Sequence, residues 1–163
     1  MKIAKILYGL LLTGLSSCLF AGGGQVREES ESVEGKRVRM TFANETVTIR
    51  LENTPAARAL AARLKGGALT LSFSDFAGSE KIASPDPPLV FTDTEGCDPD
   101  AGDVTVYIPW GNLAAFYRDS SGFSRDLAKI GRFEDDGISR LAAQKETFSA
   151  VWEAVENEKD SER

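Results

Sequence analysis

The sequence contains no histidine. Imidazole is the side chain that changes charge near neutral pH, and it is the commonest metal ligand. Its absence removes Ser-His-Asp and Cys-His nucleophilic arrangements, a histidine general base, and any histidine-ligated zinc or iron site built from this chain alone. Cysteine is nearly absent as well, with Cys18 and Cys97 the only two, too few for a Cys-rich zinc or iron–sulfur site. Basic charge is in deficit: 19 Lys and Arg stand against 25 Asp and Glu, a formal charge of −6. That balance argues against nucleic acid, whose phosphates require a basic footprint, and supplies no polybasic patch for anionic lipid. Long apolar runs are also missing, since Ile6–Leu12 is too short for a stable bilayer span. What remains is ordinary: 163 residues, 42% of them apolar, make one domain with a normal core.

Residues 1–17 carry Lys2 and Lys5, then the apolar run, then small residues up to Cys18, which is the layout of a secretory signal. The segment Leu15-Ser16-Ser17-Cys18 resembles the lipobox of bacterial lipoproteins. That resemblance implies that Cys18 becomes the lipidated first residue, on a protein exported and anchored in the bacterial cell envelope. The alternative is ordinary cleavage after Ala21 and a soluble periplasmic or secreted protein. Residues 18–35 include Gly22-Gly23-Gly24 and, from Val26 to Gly35, four glutamates and two serines. Such a segment buries too little to offset its ordering entropy and reads as a flexible tether. A single domain is expected over 36–156, followed by a charged tail, 157–163.

Within the domain, GDVTVYIPWGNLAAFYRD from Gly102 to Asp119 is the most legible stretch. Val104, Val106 and Ile108 alternate with Thr105 and Tyr107, Leu113–Tyr117 forms a second run, and Pro109 to Asn112 turns the chain, so a β-hairpin is predicted. Pro109 ends the first strand because it cannot donate to a ladder, and the second strand is expected after Asn112. Arg37–Leu51 predicts another hairpin turning at Ala43-Asn44-Glu45. Thr54 before Pro55 predicts a helix start, Ala57, Leu60, Ala61 and Leu64 its buried face, and Gly66-Gly67 its end. Leu69, Leu71 and Phe73 alternate as a strand running into Asp75-Phe76. Residues 77–102 carry four prolines and read as loop. A strand is expected around Lys129–Arg132 and a second helix from Ile138 to about Ala143. Residues 146–155 fit a helix through Phe148, Val151, Trp152 and Val155, or a strand through Phe148, Ala150, Trp152 and Ala154, and periodicity does not decide between them. Strand is preferred, because an open barrel would expose unpaired edges.

Four motifs, NTPAARALAARL, LTLSFSDFAGSEKI, the Gly102–Asp119 hairpin and KIGRFEDDGISRL, together resemble the bacterial cyclophilin-like fold proteins, a family of largely unknown function. The resemblance implies a mostly β fold, a closed β-barrel capped by two short α-helices. True cyclophilins isomerise prolyl bonds with an arginine from a His-Arg pair; here the matching stretch offers Ser74 and Asp75, and the arginine has no counterpart. An acidic group there would not stabilise a twisted proline amide as an arginine does.

Other candidates reduce to simpler readings. Asp98, Asp100 and Asp103 fail the calcium-loop spacing, because Gly102 is not sixth and Pro109 stands twelfth, so a solvated Asp-Pro turn is expected. Asp75 and Glu80 read as solvated loop carboxylates, and Lys81 as a surface charge or ion-pair partner. Cys97 reads as an idle thiol or, in an exported protein, the source of an intermolecular bond. Trp110, Phe116 and Tyr117 could line a pocket that Phe76 closes. The expected function is binding of a small molecule or peptide without catalysis, cofactor or metal, with Phe76 and Trp110 as apolar contacts and Glu80 and Asn112 as polar ones. The alternatives are a degenerate prolyl isomerase and an interaction module for another envelope protein. Membrane contact is expected through the N-terminal lipid only.

If Cys18 is the lipidated N-terminus, Cys18→Ala releases the protein from the membrane fraction or leaves an uncleaved precursor. Fractionation and intact mass check this, and a lipid-free mature protein starting at Gly22 would contradict it.

Overall fold

The structure is a computed structural model that describes residues 31–155. The leader with Cys18, most of the expected tether and the charged tail lie outside the described residues. The chain runs β1 (Arg37–Phe42), β2 (Glu45–Leu51), α1 (Pro55–Lys65), β3 (Leu69–Phe76), β4 (Glu80–Ala83), β5 (Asp103–Tyr107), β6 (Asn112–Phe116), β7 (Leu127–Phe133), α2 (Gly137–Ala142) and β8 (Phe148–Ala154). All the strands pair antiparallel in the order β1-β2-β7-β5-β6-β4-β3-β8, and β8 returns to β1 to close a barrel.

Alternation along the strands sends one set of side chains inward. Val38, Met40 and Phe42 of β1, Val47, Ile49 and Leu51 of β2, and Val104 and Val106 of β5 are all buried in the core. An eight-stranded barrel is just wide enough for side chains to fill it, and aromatic rings do much of the filling. Trp152 and Phe73 stack at 5.9 Å, Phe73 and Phe148 at 5.7 Å, and Phe148 meets Phe42 at 5.3 Å. Gly131 of β7 lies so close to β2 that a Cβ there would strike the Arg50 carbonyl, so glycine is required where β7 sits against β2 and shifts register against β5.

The helix α1 starts as its sequence predicts. Thr54 Oγ1 accepts from Ala57 N at 3.1 Å, and Pro55 occupies the first turn. Ala56, Ala57, Leu60 and Leu64 are buried as the helix packs on β7 and β8, while α2 packs on β2 and β4. Residues 146–155 contain a strand: β8 pairs with β1 from Val38↔Ala154 to Phe42↔Ala150, and with β3 from Leu69↔Trp152 to Phe73↔Phe148.

Three details differ from the sequence reading. A strand, β4, lies within the stretch expected as loop; it is only four residues long, and its inward positions are Lys81 and Ala83, which carry no apolar alternation. The Tyr107–Asn112 turn is shorter than expected at its second end, since Asn112 is already paired with Tyr107 in the ladder. Ordered packing also begins before residue 36: Val33 is buried, Val33 N donates to Asn53 Oδ1 at 3.3 Å, and Gly35 N donates to Leu51 O at 2.9 Å.

Since β8 is the only partner of one edge of both β1 and β3, a chain ending at Ala143 is expected to lose cooperative unfolding. Trp152→Ala should cost about 3–5 kcal/mol in urea denaturation, the range for a fully buried aromatic. Full amide-exchange protection in the truncated chain would contradict the barrel.

Candidate functional site

The strands β4, β6 and β5 have a second face, turned away from the filled interior. Along β6, Leu113 and Ala115 belong to the core, whereas Asn112, Ala114 and Phe116 point outward, and all five are buried. Something covers the outer face, and it is the segment after β6. Cys97 and Ser124 exchange backbone hydrogen bonds at 2.9 and 3.0 Å, Ser120 N donates to Pro99 O at 2.8 Å, and Ser120 Oγ donates to Asp98 Oδ1 at 2.9 Å. Ala101 N donates to Asp119 Oδ1 at 2.9 Å. Residues 119–124 are therefore pinned to 97–101 and stand as a fixed wall beside the sheet.

Between wall and sheet lies a groove of about 520 Å³. The four expected contacts, Phe76, Glu80, Trp110 and Asn112, all line it. Their positions follow from local structure. Glu80 takes an outward position on β4 and Asn112 opens β6, while Phe76 ends β3 and is 46% exposed. Trp110 is lifted by the Tyr107–Asn112 turn, in which Gly111 adopts a φ of +65°, with Pro88 so near that a Cβ would come within 2.7 Å. The indole is 67% exposed and meets the Tyr107 ring edge-on at 5.3 Å. Phe116 also lines the groove, but Tyr117 does not.

Two polar groups give the groove its chemistry. The Asn112 side chain is 5% exposed, yet its Oδ1 has no hydrogen-bond partner among the described residues. Two further buried polar atoms share that condition, Thr105 Oγ1 and Trp152 Nε1, and neither belongs to the groove lining. Burying an unpaired acceptor costs about 1–3 kcal/mol, a cost that an N–H or O–H reaching Asn112 Oδ1 from the groove would reduce. Glu80 forms no salt bridge among the described residues, and burial pushes its carboxyl above the ordinary range. Tyr107, Ile82, Leu127, Asp119 and the serines of the wall complete the lining. Sequence reasoning missed these because a wall formed by pairing residues 97–101 with 119–124 leaves no local signature.

The opposite side of the β3–β4 hairpin decides between the two readings of Lys81. It is an ion-pair partner and not a surface charge: it is 1% exposed and projects inward, donating to Asp75 Oδ2 at 2.8 Å and to Gln144 O at 2.6 Å. Tyr117 Oη donates to the same Asp75 oxygen at 2.7 Å, and the Lys81 ammonium lies 5.5 Å from the Tyr117 ring centre. Hydrogen bonds from Lys81 and then Tyr117 hold the Asp75 carboxyl below its usual range, while burial first and the Asp75 carboxylate second push the phenol up. Asp75 is thus tied into the barrel rim and is not paired with Glu80, whose side chain takes the other face.

Asp103 is corrected as well. It is fully buried, accepting from Lys129 Nζ at 2.6 Å, Arg132 Nη1 at 2.9 Å and Asp100 N at 3.0 Å. A solvated turn was expected because the two cations lie far away in sequence. Cys97 is half-buried with its thiol on Leu127 O at 3.5 Å, and burial pushes its pKa up to about 11, so thiolate is scarce at neutral pH.

Asp75→Asn leaves the buried Lys81 ammonium short of its counter-charge. The expected cost in urea denaturation at pH 7 is about 1–2 kcal/mol, below the roughly 3–5 of a fully buried pair because solvent reaches Asp75. A lowered carboxyl pKa contributes stability above the unfolded value of 3.8 and loses it as pH falls through the folded value. Wild type and variant should therefore converge in acid; a difference that persists undiminished at pH 2 would contradict the pairing.

The sequence pattern of the cyclophilin-like family matches residues 40–153. No curated protein matches the sequence. Among solved structures, the chain is similar to the solution structure of the hypothetical protein AF2241 from Archaeoglobus fulgidus, with a TM-score of 0.59 and 18% identity over 78% of this chain and 99% of that one. At that identity the likeness is one of fold. The family match reaches from Met40 within β1 to Glu153 within β8 and takes in part or all of every strand and both helices, so the chain belongs to the cyclophilin-like family.

Proposed function

We propose that the protein is an exported, lipid-anchored binding protein whose outer-face groove holds a small molecule or peptide without transforming it. The observation that carries this reading is the groove itself, a preformed concavity walled by exposed aromatic rings with an unpaired buried acceptor at Asn112. Mostly apolar walls with a few fixed polar groups are the usual build of a ligand site. Trp110 and Phe76 supply the apolar grip, and Asn112 and Glu80 supply direction. Anchoring through Cys18 would hold this domain at a membrane surface, with no contact to nucleic acid.

The absence of catalysis in this proposal follows from charge. Prolyl isomerisation crosses a barrier of about 20 kcal/mol, and each tenfold acceleration requires about 1.4 kcal/mol of preferential stabilisation of the twisted amide. Side chains lining the groove include two carboxylates and no Lys or Arg, whereas the twisted form is favoured by a cationic donor. Aromatic walls alone grip cis, trans and twisted forms nearly alike, which lowers no barrier.

In a protease-coupled assay on a proline peptide the purified protein should accelerate isomerisation less than tenfold, and a large acceleration would contradict the proposal. Native mass spectrometry of the protein isolated from its own cells should show a bound mass on the wild type that Trp110→Ala loses while remaining folded. A mass retained in both Trp110→Ala and Phe76→Ala would place the ligand elsewhere.

A further inference from the structure

The groove has two chemically different ends, and the strand register gives their separation. Glu80 stands opposite Phe116 and Ile82 opposite Ala114, so Asn112 lies four residues along β6 from the level of Glu80. At the rise of a β-strand this is about 13 Å. The Glu80 end is acidic. Gly102 N bonds Phe116 O at 2.8 Å, and the adjoining Ala101 N holds Asp119, which brings the Asp119 carboxylate to the same end. Phe76 follows directly on β3, where it pairs with Glu80. Among the described residues no basic side chain offsets these carboxylates within the groove: Lys81 faces inward and is spent on Asp75, and Arg118, exposed beside Asp119, is not part of the lining. The far end is neutral and aromatic. Tyr107 and Trp110 meet there at right angles, Leu127 stands opposite Tyr107, and Asn112 Oδ1 is buried without a donor among the described residues.

We propose that the ligand is an amphipathic organic cation, with its ammonium or guanidinium group against Glu80 and Asp119 and an apolar, hydrogen-bond-donating end against Trp110 and Asn112. The inference rests on the binding role proposed above and specifies its chemistry. A half-buried carboxylate without a counter-charge is raised in energy, and a ligand cation restores that energy where a neutral or anionic group does not. The negative faces of the neighbouring aromatic rings favour the same sign of charge. At the far end, only a group that carries N–H or O–H can satisfy Asn112 Oδ1, and a flat apolar group fills the space between the indole and Leu127. The two requirements sit about 13 Å apart, the length of about four extended residues. Ligand length is therefore part of the recognition.

The test uses the purified protein in calorimetric titration with four probes. The first is a blocked pentapeptide with arginine first, phenylalanine last and alanine between, so that its ends are four extended steps apart; the second replaces arginine by neutral citrulline; the third replaces it by glutamate. The fourth is 6-(4-hydroxyphenyl)hexylguanidinium, which keeps the charge and a ring with an O–H donor without a peptide backbone. The arginine peptide should bind at least tenfold more tightly than the citrulline peptide, and the glutamate peptide should bind weakest. Glu80→Gln should erase most of the arginine preference, bringing the arginine and citrulline peptides within about threefold of each other. Given the arginine preference, which is the support for a cation, binding of the hydroxyphenylhexylguanidinium probe within threefold of the arginine peptide would extend the groove's ligands to small amines, and loss of that binding would restrict them to peptides. Citrulline or glutamate peptide binding as tightly as arginine, with Trp110→Ala abolishing all of it, would overturn the cation while leaving the binding site intact. No binding of any probe, together with a bare protein in native mass spectra, would overturn both.

Discussion

The last strand, β8, lies between β1 and β3, so both of its backbone edges are hydrogen-bonded to strands from the first half of the chain. The rest of the structure depends on that insertion. Without it, β1 and β3 would each expose an edge, and the ring of eight strands would be an open sheet with a face to cover. Closure brings Trp152 and Phe148 against Phe73 and Phe42 and completes the stack of rings that fills the interior.

Among the described residues, a filled interior leaves concavities only on the outside of the barrel. Helices α1 and α2 cover further parts of the barrel, and the wall of residues 119–124 leaves a concavity over β4, β6 and β5. Asp103 shows how that wall is held in place. Its buried carboxylate draws Lys129 and Arg132 of β7 together and accepts from Asp100 N, which fixes the segment 97–101 to which the wall is pinned. A side chain that resembled a metal ligand in the sequence is instead the anchor of the loop that shapes the groove. The Asp75–Lys81–Tyr117 cluster does comparable work at the rim, tying β3, β4 and the segment after β6 together across the barrel wall.

Most of the fold was legible because it is written in local periodicity. The alternation of Val104, Val106 and their neighbours, the Thr54-Pro55 helix start and the Gly66-Gly67 stop each describe an element through its own residues. Residues 146–155 show the limit of that reasoning. Their pattern fits either period, and the strand is selected by the two open edges waiting for it, a tertiary requirement. The short β4 was not legible, because its inward-facing Lys81 is a charge whose partners, Asp75 and the Gln144 carbonyl, come together only in the folded barrel. The groove divides along the same line. Phe76, Glu80, Trp110 and Asn112 could be named from turns and hairpin ends, whereas the wall depends on pairing between loops far apart in sequence, and the separation of the two ends on a register no local pattern reports.

In the proposed function, ligand is received on the outer face of a barrel whose interior is closed. Backbone amide shift mapping of the protein against a fragment set of amines and their neutral isosteres tests it most directly. Perturbations are expected at Glu80, Ile82, Asn112 and Phe116 and along residues 119–124, with Met40, Ile49, Phe73 and Trp152 unmoved. Shifts concentrated on those interior residues, or beside the start of α1 at Asn53 to Ala56, would contradict it.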